Sequence, residues 1–390
     1  MARRRGNNEG SIYKRPDGSW AGQVSVGYDP VTGKRKRKSF YGQTRKEVAD
    51  KLSQVLRDMG NGLAVEPARC TFGEWLDKWL ERYKKPQLRQ STYESYESII
   101  RAYIKPSLGG VPLAKVQANM LQNFYNEKLE SGLSTRTVRY THAVIRQALQ
   151  QAVKEGLLSR NVADATTPPT VKSKQMQALS EDDLLAFFEA SKEDRLFPVY
   201  FLAATTGMRR AELLGLCWDS VDLEQGMVTV RRQLLSLKGG ATLEENTKSK
   251  QGMRSITLTD DAIKVLAAHR QKQAQEKLRL GAAYQDNGLV FCREDGVPID
   301  PRTFTKRFQG ILERAGLPVI RFHDLRHTHA SLLLSRGIHP KIVQERLGHS
   351  SITMTLDLYS HLAPGLQEAA ASSLSGLLSK KSKGKDLKEA

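Results

Sequence analysis

The stretch RFHDLRHTHASLLLSRGIHPKIVQERLGHSSITMTLDLYSH, running from Arg321 to His361, holds six of the chain's eight histidines, an arginine set among apolar residues, and a tyrosine near its end. Three chemistries gather residues in this way: a metal site, a polar scaffold satisfied locally, and a cradle for a phosphate. For a metal, His323 and His327 have H-x-x-x-H spacing, but the next position is Asp324, where a zinc-protease helix places a glutamate base. No thiol or carboxylate cluster completes a ligand set. The pair His327 and His329 would suit a metal on a strand, and this stretch reads as helix. A local role suits His339, beside Pro340 in a turn, while Leu325, Leu332, Leu333 and Leu334 read as core. His323 and Arg326 differ, because three residues apart on a helix they project to the same side. Gly348 reads as the stop after the helix KIVQERL, leaving His349 at the junction with a further helix. Ile352, Leu356 and Tyr359 lie near one face of that helix, so two imidazoles, a guanidinium and a phenol can converge.

The rest of the chain identifies the partner. Sixty-one Lys plus Arg against 42 Asp plus Glu give a net charge of +19 over 390 residues. Such an excess favours a polyanion, either nucleic acid or an anionic membrane surface. No apolar run approaches the ~20 residues that span a bilayer, and MARRRGNNEGS has no apolar core to follow its basic residues. Nucleic acid is therefore the better reading. The three cysteines, Cys70, Cys217 and Cys292, are odd in number and far apart, as in a reduced cytosolic protein.

Three segments follow. Residues 1–65 read as a small three-stranded sheet plus a helix. Pro16-Asp17-Gly18 and the run Asp29 to Gly33 mark turns, Trp20, Val24, Val26 and Tyr28 alternate along a strand, and KRKRKSFYG forms a basic strand. Thr44 with Glu47 reads as a capping box, followed by Val48, Leu52, Val55 and Met59 at helical spacing. The sheet would leave a basic face carrying Lys14, Arg15, Lys34, Arg35, Lys36, Arg37 and Lys38, suited to a DNA groove. Residues 66–170 read as an all-α domain, with capping boxes at Thr71/Glu74 and Ser91/Glu94 and a long helix beginning at Ser134. TTPPTVKSKQ is an extended linker, because Pro168-Pro169 stops any helix. Residues 175–380 read as a mainly α domain with a small antiparallel sheet (α+β), capped at Ser180/Asp183. Its strand-like runs are MVTVRRQLL and RSITLT, joined by SLKGGATLEENTKSKQGM. Residues 381–390 read as a disordered tail.

The motifs in the third segment match a known pattern. H-x-L-R-H at 323–327, L-G-H-S-S at 347–351 and Tyr359 followed by Ser-His resemble the tyrosine recombinases, the phage integrase family. TGMRRAELLGL at 206–216 resembles the box of that family's first arginine, and NTKSKQGMR at 246–254 the hairpin that carries its lysine. The sheet and the helical domain are similar to the arm-binding and core-binding domains of phage and conjugative-transposon integrases. The resemblance implies a catalytic set of Arg209, Lys248 (alternatively Lys250), His323, Arg326, His349 and the nucleophile Tyr359, with Glu212 supporting the basic cluster. It implies double-stranded DNA at core and arm sites, a homotetramer, an excisionase and a host DNA-bending protein as partners, in the cytoplasm of a bacterial host.

The chemistry explains the residue types. Attack on a phosphodiester piles charge onto its non-bridging oxygens, and fixed cations aimed there stabilise the transition state. Guanidinium forks match phosphate oxygens in pairs, which suits Arg209 and Arg326. Ionising a phenol of pKa ~10 at pH 7 costs about 4 kcal/mol, which the arginines, and His323 as proton acceptor, offset. By resemblance, the hairpin lysine protonates the departing 5′-oxygen, His349 hydrogen-bonds the phosphate, and a 3′-phosphotyrosyl link retains the bond energy, so no cofactor, ATP or metal is expected. Two other functions fit parts of the pattern: a type IB topoisomerase, against which the N-terminal sheet argues, and a catalytically inactive architectural DNA-binding protein, against which the full residue set argues. Arg210 reads as a surface or DNA-backbone contact and Trp218 as core. After Tyr359, Leu362, Leu366, Ala370, Leu374 and Leu377 repeat at helical spacing, suiting either the protein's own core or a neighbouring protomer.

Overall fold

The computed structural model describes residues 10–28, 35–60, 70–171, 177–245, 253–349 and 351–353. Backbone contacts divide the chain into two compact units, Met1–Ser173 and Lys174–Ala390. The division falls within the 166–175 stretch. Among the described residues no helix is long and apolar enough to cross a membrane.

The first unit begins with strands β1 (Ser11–Lys14), β2 (Trp20–Tyr28) and β3 (Arg35–Gly42), antiparallel in the order β1-β2-β3. The β1–β2 turn uses Gly18 at φ 82°, and Asp17 accepts the Ser19 N–H at 3.0 Å. Helix α1 (Arg45–Gly60) buries Val48 and Leu52 against the sheet. Gly22 permits this approach, since a Cβ there would lie 2.7 Å from Val48 Cγ1. The expected capping box is only half formed. Thr44 Oγ1 accepts the Glu47 N–H, but the Glu47 carboxylate reaches the Gln43 N–H at 3.1 Å, one residue beyond its expected partner. Lys51 also holds that carboxylate, at 2.5 Å, and competes for its orientation.

Helix α2 (Phe72–Trp79) runs into a π-helical turn, Leu80–Lys84. Helix α3 (Gln90–Ile99) runs into a second, Ile100–Ile104, and then α4 (Lys105–Leu108). Helices α5 (Ala118–Glu130) and α6 (Thr135–Lys154) follow. Thr71 and Glu74 form a complete capping box, and Ser134 caps α6 by accepting the Thr137 N–H at 3.1 Å. The expected box at Ser91 and Glu94 is absent. The helix starts earlier, at Gln90 after Arg89, and Ser91 lies inside its first turn. Leu88, packed against the apolar core, fixes where the chain enters the helix, and this packing overrides the local cap signal. Trp79 stacks on Tyr96 with ring centres 6.0 Å apart, at the centre of that core.

The second unit opens with α7 (Glu181–Ser191), capped reciprocally by Ser180 and Asp183. Then come α8 (Phe197–Thr206), α9 (Arg210–Leu214), β4 (Val221–Asp222), β5 (Met227–Val230), β6 (Arg232–Leu237), β7 (Gly240–Glu245) and β8 (Arg254–Thr257). Helices α10 (Asp260–Leu280), α11 (Pro301–Arg314), α12 (Asp324–Ser335) and α13 (Pro340–Leu347) complete it. The sheet is more divided than the two runs in the sequence suggest. MVTVRRQLL breaks at Arg231 into β5, which pairs with β4 and β8, and β6, which pairs with β7 as a hairpin. Each half satisfies its backbone with a different partner, so no continuous strand forms. The core is built from Phe187, Tyr200, Phe304, Phe308 and Phe322, whose rings meet edge-on or tilted 4.7–5.8 Å apart. Trp218 packs on it as expected, with its indole N–H donating to Gln273 Oε1 at 2.6 Å. Cys217 and Cys292 are buried free thiols, and Cys70 is a half-buried one.

Candidate active site

The site forms where the ends of α8, α12 and α13 meet. Helix α8 ends at Gly207 and α13 at Gly348, both left-handed (φ 66° and 67°), and each turn exposes carbonyls that no helix bond satisfies. Side chains satisfy them. Arg326, 2% exposed, donates from NH1 to Gly207 O at 2.8 Å and from NH2 to Leu347 O at 2.7 Å. Arg209 NH2 donates to Gly348 O at 3.1 Å, and Arg254 Nε donates to Arg346 O at 2.9 Å. Three consecutive carbonyls at the end of α13, residues 346–348, thus each receive a different guanidinium. The negative end of the helix dipole favours this gathering of cations.

Glu212 supplies the single carboxylate in the described hydrogen bonds of these arginines. It is 2% exposed, accepts from Arg209 NH1 at 2.7 Å, and takes both Arg254 NH1 at 3.1 Å and NH2 at 2.8 Å. Its Oε2 also accepts the Arg209 backbone N–H at 2.9 Å. Burial pushes its pKa up, but Arg254 and Arg209 outweigh that and hold it at about 2. Arg209 keeps 40% of its side chain exposed, so it is the open edge of the cluster.

His323 occupies the N-cap position of α12, and its surface is exposed. Protein packed around the ring still partly desolvates it, and with Arg326 lowers its pKa. The ring meets His327 edge-to-face at 5.2 Å between centres, an arrangement of packing. Burial, then the charges of Arg326 and Arg209, bring buried His349 to about 4, and His327 reaches about 4 through burial and His323. The charges of Arg326 and Arg209 thus act on both His323 and His349. Among the described residues no group of three or more His, Cys, Asp or Glu side chains is placed to hold a metal ion. His339 caps α13 through Nδ1, which accepts the Lys341 N–H at 3.2 Å. Lys248, Lys250 and Tyr359 lie outside the described residues, as does the stripe from Leu362 to Leu377.

Two residues with structural weight here had no role in the sequence reading. Arg254 was visible only as the last letter of NTKSKQGMR, and Arg346 only as a basic residue at a helix end. Neither has a spacing signal, since their partners are 42 and 92, and 17 to 141, residues away. Arg210 is exposed and donates to Thr305 Oγ1 at 2.8 Å.

On the small sheet, strand alternation divides the expected basic face. Arg35 and Arg37 line a shallow depression with Ser11, Gln23 and Ser25. Lys38 pairs with Val24 on the side that carries α1, and its Nζ lies over Phe40 at 5.7 Å. Lys14 and Arg15 are exposed, Arg15 pairing with Asp17 at 3.2 Å and lying over the Tyr41 ring at 5.1 Å. Lys34 lies outside the described residues. The open face also presents Tyr13 and Tyr41, 49% and 57% exposed, on either side of Ala21. The sequence reading missed both, because aromatic residues in a strand ordinarily read as core.

The model of the phage integrase family matches residues 174–365, and that of the phage integrase N-terminal SAM-like domain matches residues 71–129. A tyrosine recombinase XerC-like protein of Caldanaerobacter subterraneus is 33% identical over 372 residues, covering 91% of this chain and 95% of that protein. The ICEBs1 integrase of Bacillus subtilis is 28% identical over 375 residues, covering 94% of this chain and all of that protein. Among solved structures, the Tn1549 transposon integrase in complex with a circular intermediate DNA superposes with a TM-score of 0.66, at 20% identity, over 79% of this chain and 99% of that one. A lambda integrase tetramer bound to a Holliday junction superposes with a TM-score of 0.58, at 21% identity, over 91% of this chain and 96% of that one.

Proposed function

Because the chain belongs to the phage integrase family and is a tyrosine recombinase, we propose that it integrates and excises a mobile element by breaking and rejoining double-stranded DNA through a 3′-phosphotyrosyl link to Tyr359. The observation that carries the site assignment is the set of guanidinium groups held on the end of α13 with His323 and His349 in the same field. Arg209 and Arg326 take the non-bridging oxygens of the scissile phosphate, where charge grows in the transition state. His323, kept unprotonated at neutral pH by its surroundings, accepts the phenolic proton of Tyr359. His349, neutral as well, donates a ring N–H to the phosphate. The lysine, Lys248 or Lys250, protonates the leaving 5′-oxygen. Attack by a bound 5′-hydroxyl then reverses the step on a new partner strand, without ATP or metal.

In this reading residues 175–380 perform catalysis, residues 66–170 grip the core site, and the sheet of residues 1–65 binds separate arm sites through Arg35, Arg37 and their basic neighbours. Four protomers act together, as in the lambda integrase tetramer on its junction, with an excisionase and a host DNA-bending protein setting direction, in a bacterial cytoplasm at the nucleoid. A suicide half-site, in which the cleaved strand cannot be religated, tests the assignment. Wild-type protein should form a covalent adduct in excess chelator, and Tyr359→Phe should form none while retaining DNA affinity. An adduct with the phenylalanine variant would move the nucleophile elsewhere, and no adduct with wild type would favour an architectural protein.

A further inference from the structure

Arg346 and His329 take no step in the mechanism above, yet they lie directly behind it. Arg346 Nε donates to His329 Nε2 at 3.2 Å, and its NH2 donates to Thr205 O at 3.0 Å and Thr257 O at 3.1 Å. One side chain on α13 therefore reaches the end of α8, strand β8 and helix α12. All of these acceptors are neutral. A half-buried guanidinium held without a carboxylate in its described hydrogen bonds is costly to desolvate, so its retention calls for a return.

His329 fits this role by its tautomer. Nδ1 lies 2.8 Å from Ala204 O, which can only accept, so Nδ1 carries the proton and Nε2 presents its lone pair to Arg346. The ring is 6% exposed and packs against Gly207, where an added Cβ would come within 2.8 Å of it. The carbonyl of Arg346 receives Arg254, and those of the turn that follows it, Leu347 and Gly348, receive Arg326 and Arg209. If that turn slid, all three would shift together.

We infer that Arg346, held by His329, is a positioning residue that pins the end of α13 to α8 and β8 and thereby sets where Arg209 and Arg326 meet the phosphate. The inference rests on the active-site assignment above, so its test carries the Tyr359→Phe control. Single-turnover adduct formation on a suicide half-site is compared with half-site affinity and thermal melting, all in the full chain. Arg346→Met keeps an unbranched stem and removes the guanidinium; it should slow adduct formation by about 100-fold while half-site affinity stays within about threefold. Arg346→Lys, which restores a cation with fewer well-aimed donors, should recover part of the rate. His329→Leu should reproduce the loss. His329→Gln, whose amide can donate to Ala204 O and accept from Arg346, should be faster than His329→Leu by about tenfold. Equal rates for these two variants would overturn the inference, as would rate and affinity falling in proportion in Arg346→Met, or no change in it at all. If Arg346→Met does not fold, the comparison at His329 decides. If wild type itself forms no Tyr359-dependent adduct, the active-site assignment fails instead, which is a separate outcome.

Discussion

Glu212 shows how one residue sets the charge state of its surroundings. Buried between Arg209 and Arg254, it stays ionised because those guanidinium groups outweigh its desolvation. Removing one partner of such a cluster leaves charge buried and uncompensated. Glu212→Ala should therefore destabilise the second unit by about 3–5 kcal/mol, read by chemical denaturation; a loss under about 1 kcal/mol would show that solvent reaches Arg254 readily. The histidines make a second prediction. His327, His329 and His349 each titrate near 4 in the folded chain against an ordinary 6.5. Between these values the unfolded chain binds more protons than the folded one. Stability is thus complete above about pH 6.5 and falls as pH drops toward 4, by up to about 1.4 kcal/mol for each unit of each shift. Melting curves between pH 7.5 and 4.5 should show this slope, and His329→Gln should flatten it.

At the scale of elements, the site depends on how helices end. Gly207 closes α8 in the left-handed region, offers its carbonyl to Arg326, and faces Leu347 and His329 so closely that a Cβ would lie 2.5 Å and 2.8 Å from them. Gly207→Ala combines a left-handed penalty of about 1–2 kcal/mol with a push against the end of α13. It should lower stability by at least that amount and slow adduct formation beyond what the stability loss explains. Normal single-turnover cleavage in a destabilised variant would show that the arginines tolerate displacement of this turn. The sequence displayed the second of these ends well, since Gly348 stands where a helical pattern stops, and Ser134, Ser180 and Thr71 stand where others start; the stop of α8 at Gly207 was not read from it. It failed at Ser91, where packing of Leu88 decided the helix start, and at Arg231, where a run of strand-forming residues is cut because its halves pair with different neighbours.

At the scale of the whole molecule, the proposal assigns two kinds of DNA contact to one chain. Deletion of residues 1–65 should preserve cleavage of an isolated core half-site and impair integration of an element carrying arm sites. Every phosphate that the missing sheet would have neutralised should reduce the slope of log affinity against log salt on arm-site DNA by about 0.9. Filter-binding or anisotropy titrations between about 50 and 200 mM salt would check this. An unchanged slope together with normal integration would remove the arm-binding role from the sheet.

The sequence by itself determined the chemistry: the residue types in H-x-L-R-H, L-G-H and TGMRRAE, their order, the basic excess, and the helical and strand periods that carry them. These are local properties, set by spacing within an element and by the demands of a phosphate. Tertiary structure alone decided which groups hold those residues in place. Arg254 meets Glu212 across 42 positions, Arg346 meets Thr205 across 141, and Arg326 meets Gly207 across 119. The tyrosine pair on the open face of the sheet likewise follows from strand register, which joins Tyr13 and Tyr41 through Ala21. Such contacts leave no periodic trace, because a long-range hydrogen bond constrains two side chains and nothing in the sequence between them.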